Sequence, residues 1–245
     1  VEVSALIAQL AADGPLLIEA ADRAGWDAPV PGTEWSVRDL VKHVGGVHRW
    51  AADIVDTASP TSDTAAGRAV GSGPGDDELV EWFTNGHAAL VEALRAAPGD
   101  LDCFTFLPAD SPRHFWARRQ AHETAVHRAD AQAAAGVVAP FDAAFAQDGI
   151  AELLHGFARR RSHAIPQRGV IGLDAADGPS WRIMLGGERI EAACGDLGGA
   201  DVTVRGLSSD LYLWLWNRPC DAVLEGDRQV AALWSGTVRV RSRWS

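Results

Sequence analysis

Glu123 and His127 stand four residues apart in the run Ala121-His122-Glu123-Thr124-Ala125-Val126-His127-Arg128. On a helix that spacing puts both side chains on one face, a turn from each other. His122 and His127 are five apart, a rotation of roughly 140°. That denies the chain the paired-histidine face of a zincin, whose histidines stand at i and i+4. One carboxylate and one imidazole make half a metal site, so a third ligand must come from elsewhere. His43 is the best candidate, because it falls in the apolar stripe of a different predicted helix, and ligands projecting inward from facing helices meet in a bundle core. Two histidines and a carboxylate suit zinc and leave a position open for water or substrate; the same set could hold non-haem iron.

The plainer reading of each residue competes with this one. A histidine on an apolar face is more often a hydrogen-bonded core residue than a ligand, and Glu-x-x-x-His is common by chance. Glu123 shifts the balance, since a helix face that also carries Trp116 and Val126 should not bury a carboxylate without a partner. His48, His87 and His122 are the alternates. His48 is five residues past His43 and should point away from its face, while His87 shares the stripe of Phe83 and Val91 and could line the pocket or support a ligand.

These residues need helices to position them, and the first part of the chain reads as helical. Leu6, Ile7, Leu10, Leu17 and Ala21 recur at helical spacing, with Gly14-Pro15 expected to kink or restart that helix. Ser36-Val37-Arg38-Asp39 looks like a capping box that starts a second helix, with Leu40, Val44, Val47, Ala51 and Ile54 as its buried stripe. Residues 58–75 are Ser, Thr, Ala, Gly and Pro without apolar period and read as a long mobile loop. Asp76 or Asp77 should cap a third helix, interrupted near Gly86 and His87. Ser111-Pro112 opens a fourth, running to about Ala135 and carrying Glu123 and His127. A fifth is expected over 142–161.

After residue 166 the period shortens. The runs 169–174, 180–185, 189–193 and 201–205 read as strands, antiparallel at first, separated by glycine-containing turns. Ser208 should cap one helix, and 228–234 reads as another. The expected organisation is therefore a helical domain over 1–162 and a smaller α+β domain over 166–245.

Composition narrows the function classes. The net charge of −11 should repel phosphate backbones and anionic lipid, which argues against nucleic-acid and membrane partners. The run Arg159, Arg160 and Arg161 reads as a solvated helix end and receives no function. No apolar stretch approaching roughly 20 residues is evident and no secretory pattern opens the chain, so a cytoplasmic location is expected. Cys103, Cys194 and Cys220 are odd in number and widely spaced, fitting neither a disulfide framework nor a Cys-x-x-Cys motif. A thiol used in catalysis would have to come from outside the chain.

Two stretches, Trp35-Ser36-Val37-Arg38-Asp39-Leu40-Val41-Lys42-His43-Val44-Gly45-Gly46-Val47-His48-Arg49-Trp50 and Arg119-Gln120-Ala121-His122-Glu123-Thr124-Ala125-Val126-His127-Arg128-Ala129-Asp130-Ala131, resemble the mycothiol-dependent maleylpyruvate isomerase family. The resemblance extends through 200–206 and 213–218, nearly the whole chain. It implies a DinB-like four-helix bundle followed by a sterol-carrier-like α+β domain. It also implies zinc, or another divalent metal, on His43, Glu123 and His127, with mycothiol, a small actinobacterial thiol, as cofactor. An arginine of the second domain is implied to hold substrate carboxylates, and Arg218 is the nearest match. The family more often shows Leu-Trp-Gly-Arg there, so Asn217 is a departure, and a helix-end role for Arg218 competes. The expected partners are a thiol cofactor and a small electrophile, and the expected activity is cis–trans isomerisation. The alternatives are mycothiol S-transfer and a metal-binding or small-ligand-binding module without turnover.

Overall fold

A computed structural model describes residues 1–160 and 165–238. Contacts divide the chain into two units, with the break between Ala139 and Pro140.

The first unit is built from four long helices, α1 (Val3–Ala24), α2 (Val37–Asp56), α4 (Asp76–Ala96) and α5 (Pro112–Ala134), with a short α3 (Ala65–Arg68) between the second and third. Local chemistry sets their ends. Ser36 Oγ accepts from the Asp39 amide and Asp39 Oδ2 accepts from the Ser36 amide, so α2 opens on a complete capping box. Ser111 caps α5, with Pro112 in its first turn. Gly75, not an aspartate, is the N-cap of α4; Asp76, Asp77 and Glu78 instead occupy its first turn, where the helix dipole favours negative charge. All five residues of the expected α2 stripe are buried.

Three expectations are corrected here. Pro15 lies inside α1, yet the helix is continuous. His87 Nε2 donates to the Leu10 carbonyl at 2.9 Å, serving the backbone of the turn before the proline. α4 is likewise unbroken at Gly86 and His87, because the missing side chain at Gly86 makes room for Arg49 of α2. The segment read as a mobile loop carries α3 and buries Val70, and the Trp50 indole donates to the Ser62 carbonyl at 3.1 Å.

By length and composition α1 could cross a membrane. Here Leu6, Leu10 and Leu17 are fully buried in the unit, and Asp13 at its centre pairs with Arg128 of α5 at 2.8 Å.

The second unit opens with α6 (Ala143–Glu152), which passes into a π-helical turn (Leu153–Phe157). The expected fifth bundle helix thus belongs with the sheet. Phe141 and Phe145 pack on Tyr212, and Gln147 accepts from the Trp181 indole and donates to Ser208, so the apolar and polar faces of this segment are both satisfied within the second unit. Arg160 covers the Phe157 ring, and Arg161 falls outside the described residues.

The sheet has strands β1 (Gly169–Ala175), β2 (Trp181–Leu185), β3 (Glu191–Cys194), β4 (Val202–Gly206) and β5 (Val223–Gly226) in the order β3-β2-β1-β4-β5. β1-β2 and β2-β3 are antiparallel, β1-β4 parallel, and β4-β5 antiparallel. β5 was not expected. α7 (Ser208–Leu215) and α8 (Arg228–Thr237) complete the unit. Ser208 is the first helical residue of α7 and not its cap; its amide and hydroxyl both donate to Asp177 Oδ1.

Candidate metal centre

α2 and α5 bring His43, Glu123 and His127 together, with one ligand-type atom from each lying within 4.8 Å of the others. Glu123 Oε1 is central, 3.4 Å from His43 Nε2 and 3.3 Å from His127 Nε2. The two imidazoles meet edge to face with centroids 5.3 Å apart. His43 and His127 keep 5% and 12% of their side-chain surface, whereas Glu123 keeps 22%, so the group is enclosed but not sealed.

Three further residues hold this geometry. Arg119, one turn before Glu123, reaches Oε2 at 3.2 Å and leaves Oε1 to the histidines. Asp130, three residues after His127, lies 2.9 Å from its Nδ1. Trp35 lays its ring against His43 at a centroid distance of 4.7 Å and stands 6.2 Å from His127. Its loop is tied down at both ends: the Val30 amide donates to the Trp35 carbonyl, and the Val37 amide to that of Ala28, each at 2.9 Å.

Arg119 and Asp130 sit at helical spacing from the ligand candidates and could have been found by extending the face outward. Nothing in the spacing singles out Trp35, which enters from a loop.

Burial opposes charge at both Glu123 and His127, yet their hydrogen bonds win. Those from His127 and His43 hold the Glu123 carboxyl well below the usual carboxylate range. Contacts with Asp130 and Glu123 raise His127 to about 9. A cation and a proton therefore compete for His127 Nε2. Two imidazoles, once any proton on Nε2 is displaced, and one carboxylate form a borderline, three-donor set, which fits zinc with a place left for a further ligand.

The alternates lie elsewhere. His48 is buried, with Nε2 2.9 Å from Thr124 Oγ1; His87 serves Leu10 of α1; and His122 is fully buried in α5. None of the three joins the ligand group.

The mycothiol maleylpyruvate isomerase N-terminal domain model matches residues 7–132. The chain belongs to that family. Two solved structures, described as the mycothiol-dependent maleylpyruvate isomerase and a histidine-to-alanine mutant of it, superpose with a TM-score of 0.63 over 92% of this chain and 93% of theirs. They are 17% and 14% identical to it, so this likeness speaks for the fold. No curated protein sequence matches the chain.

Arg218 lies in the second unit, just past α7, and its guanidinium donates to the Trp216 carbonyl at 2.8 Å. That is the helix-end role expected of a C-terminal arginine. The departure at Asn217 has a backbone reason: its φ is +59°, a left-handed conformation open to glycine and, next best, to asparagine. Its side-chain Nδ2 also donates to the Val238 carbonyl at 2.8 Å.

Proposed function

We propose that this chain is a zinc-dependent, mycothiol-dependent enzyme that adds the thiol to a small electrophile, as in maleylpyruvate cis–trans isomerisation. The observation that carries the reading is the convergence of His43, Glu123 and His127 within the family's own domain. His43, Glu123 and His127 would hold a zinc ion, whose positive charge would favour the deprotonated form of a thiol near neutral pH.

The chain's own residues do the rest. Glu123 offers one oxygen inward, because Arg119 engages the other. His43 and His127 offer neutral Nε2 atoms, and Trp35 shields the imidazoles on one side. Burial pushes the Cys103 and Cys220 thiols up, away from the reactive thiolate form, which suits a thiol brought in as a cofactor. Arg218 is the proposed anchor for a substrate carboxylate, the role that the family resemblance implies for an arginine of the second unit. The proposed location is the cytoplasm.

The test combines metal analysis with two assays on the purified chain. Maleylpyruvate isomerisation without net loss of mycothiol supports the reading. Stoichiometric thiol consumption with monochlorobimane and no isomerisation replaces it with S-transfer, and neither activity leaves a binding module.

A further inference from the structure

An imidazole can serve a metal through either nitrogen, and nothing intrinsic to the side chain chooses between them. The protein chooses by what it places at the other nitrogen. At His127 that group is Asp130. Its carboxylate is 2% exposed and lies 2.9 Å from Nδ1, while Nε2 faces Glu123 Oε1 at 3.3 Å. Both contacts come from α5 itself. Glu123, His127 and Asp130, at spacings of four and three, form one stripe along the helix, so a single rigid element sets the ring's position and its rotation. Asp130 contributes no atom to the ligand group, and it meets that group at His127 Nδ1.

We propose that Asp130 is a positioning residue: by accepting from Nδ1–H of His127 it fixes the tautomer that leaves the Nε2 lone pair free, and it holds the ring aimed at the point shared with Glu123 and His43. The proposal rests on reading these three residues as ligands. His43 is oriented differently, by the Trp35 ring against its face, so the two histidines depend on separate devices and should respond separately to mutation.

The experiment is a zinc titration of the full-length, metal-stripped chain in competition with a chromophoric chelator. It is run on the wild type, Asp130→Asn, Asp130→Ala and His127→Ala. Asp130→Asn keeps the side chain's shape, and its metal-free thermal unfolding is recorded as the folding control. The wild type should take up one zinc per chain, and Asp130→Ala should bind it about 10- to 100-fold more weakly, the range typical of losing such a support. Asp130→Asn should fall between them, and His127→Ala should be weaker than either. In the zinc-loaded wild type the Nδ1–H of His127 should give a slowly exchanging downfield proton resonance that disappears in Asp130→Ala. Affinities of both Asp130 variants within twofold of wild type, with that resonance unchanged, would overturn the proposal. So would failure of Asp130→Asn to fold, which would make the contact a matter of stability. A wild type that takes up no zinc would instead remove the ligand reading itself, and the role of Asp130 with it.

Discussion

Glu123 sits between two imidazoles and a guanidinium, and its ionised form is what lets these three polar groups share so small a space. Arg119 pulls on one oxygen and the histidines share the other. Removing any one of the three ligand candidates should therefore disrupt the set. His43→Ala, Glu123→Ala and His127→Ala are each expected to lower zinc affinity beyond the roughly 10- to 100-fold seen for outer partners. His122→Ala should leave it nearly unchanged, because that ring is not part of the ligand group. Equilibrium dialysis with zinc checks this, and loss of zinc in His122→Ala alone would contradict the facing argument. The triad could be read from the sequence because helical periodicity turns a spacing of four into a shared face. Arg119 and Asp130 obey the same periodicity but were passed over, since charged residues on a helix are usually solvated and their burial depends on neighbouring helices. Trp35 required the path of a loop.

At the scale of elements, α1 and α4 approach closely at one small residue, Gly14. A Cβ on Gly14 would overlap the His87 ring, which also donates to the Leu10 carbonyl. Alanine is the better helix former by about 1 kcal/mol, while overpacking a buried contact usually costs about 1–3 kcal/mol. The clash decides the sign: Gly14→Ala should destabilise the protein by up to about 2 kcal/mol, the overpacking cost less the helix gain, read as a lower urea midpoint in the presence of a chelator. A higher midpoint would mean that His87 yields freely. Close contacts of this kind, His87 at Gly14 and Arg49 at Gly86, stand where the sequence suggests breaks and the helices run on. Glycine and proline are local signals for interruption, and here glycines serve packing between helices. The fate of α6 was hidden for a similar reason. Its apolar period is the same whichever unit it packs against, and only the partners Tyr212, Ser208 and Trp181 assign it. β5 is four residues long, too short for alternation to show.

For the molecule as a whole, buried histidines set how stability varies with pH. Burial lowers His87, and it lowers His48 well below 6.5, where the His87 ring at a centroid distance of 5.3 Å adds to the effect. The unfolded chain binds protons at these two positions near pH 6.5 and the folded chain only at lower pH, so stability must fall as pH drops below 6.5. His127 acts in the opposite sense in the metal-free protein. Raised to about 9, it contributes fully below 6.5, and that contribution is lost as pH rises through 9. Below 6.5 it is charged in both states and adds no slope, which isolates the other two. Metal-free protein should therefore be most stable near pH 6.5 with respect to these groups. From there to pH 5.5 it should lose stability at up to about 1 kcal/mol per pH unit for each buried neutral histidine. Urea unfolding in chelator at intervals from pH 5.5 to 8 measures this. His87→Gln, which cannot titrate, should start lower because its contact with Leu10 is altered, yet its stability should decline less steeply below 6.5. Equal slopes for His87→Gln and wild type would show that His87 takes up its proton as readily in the folded bundle as in water.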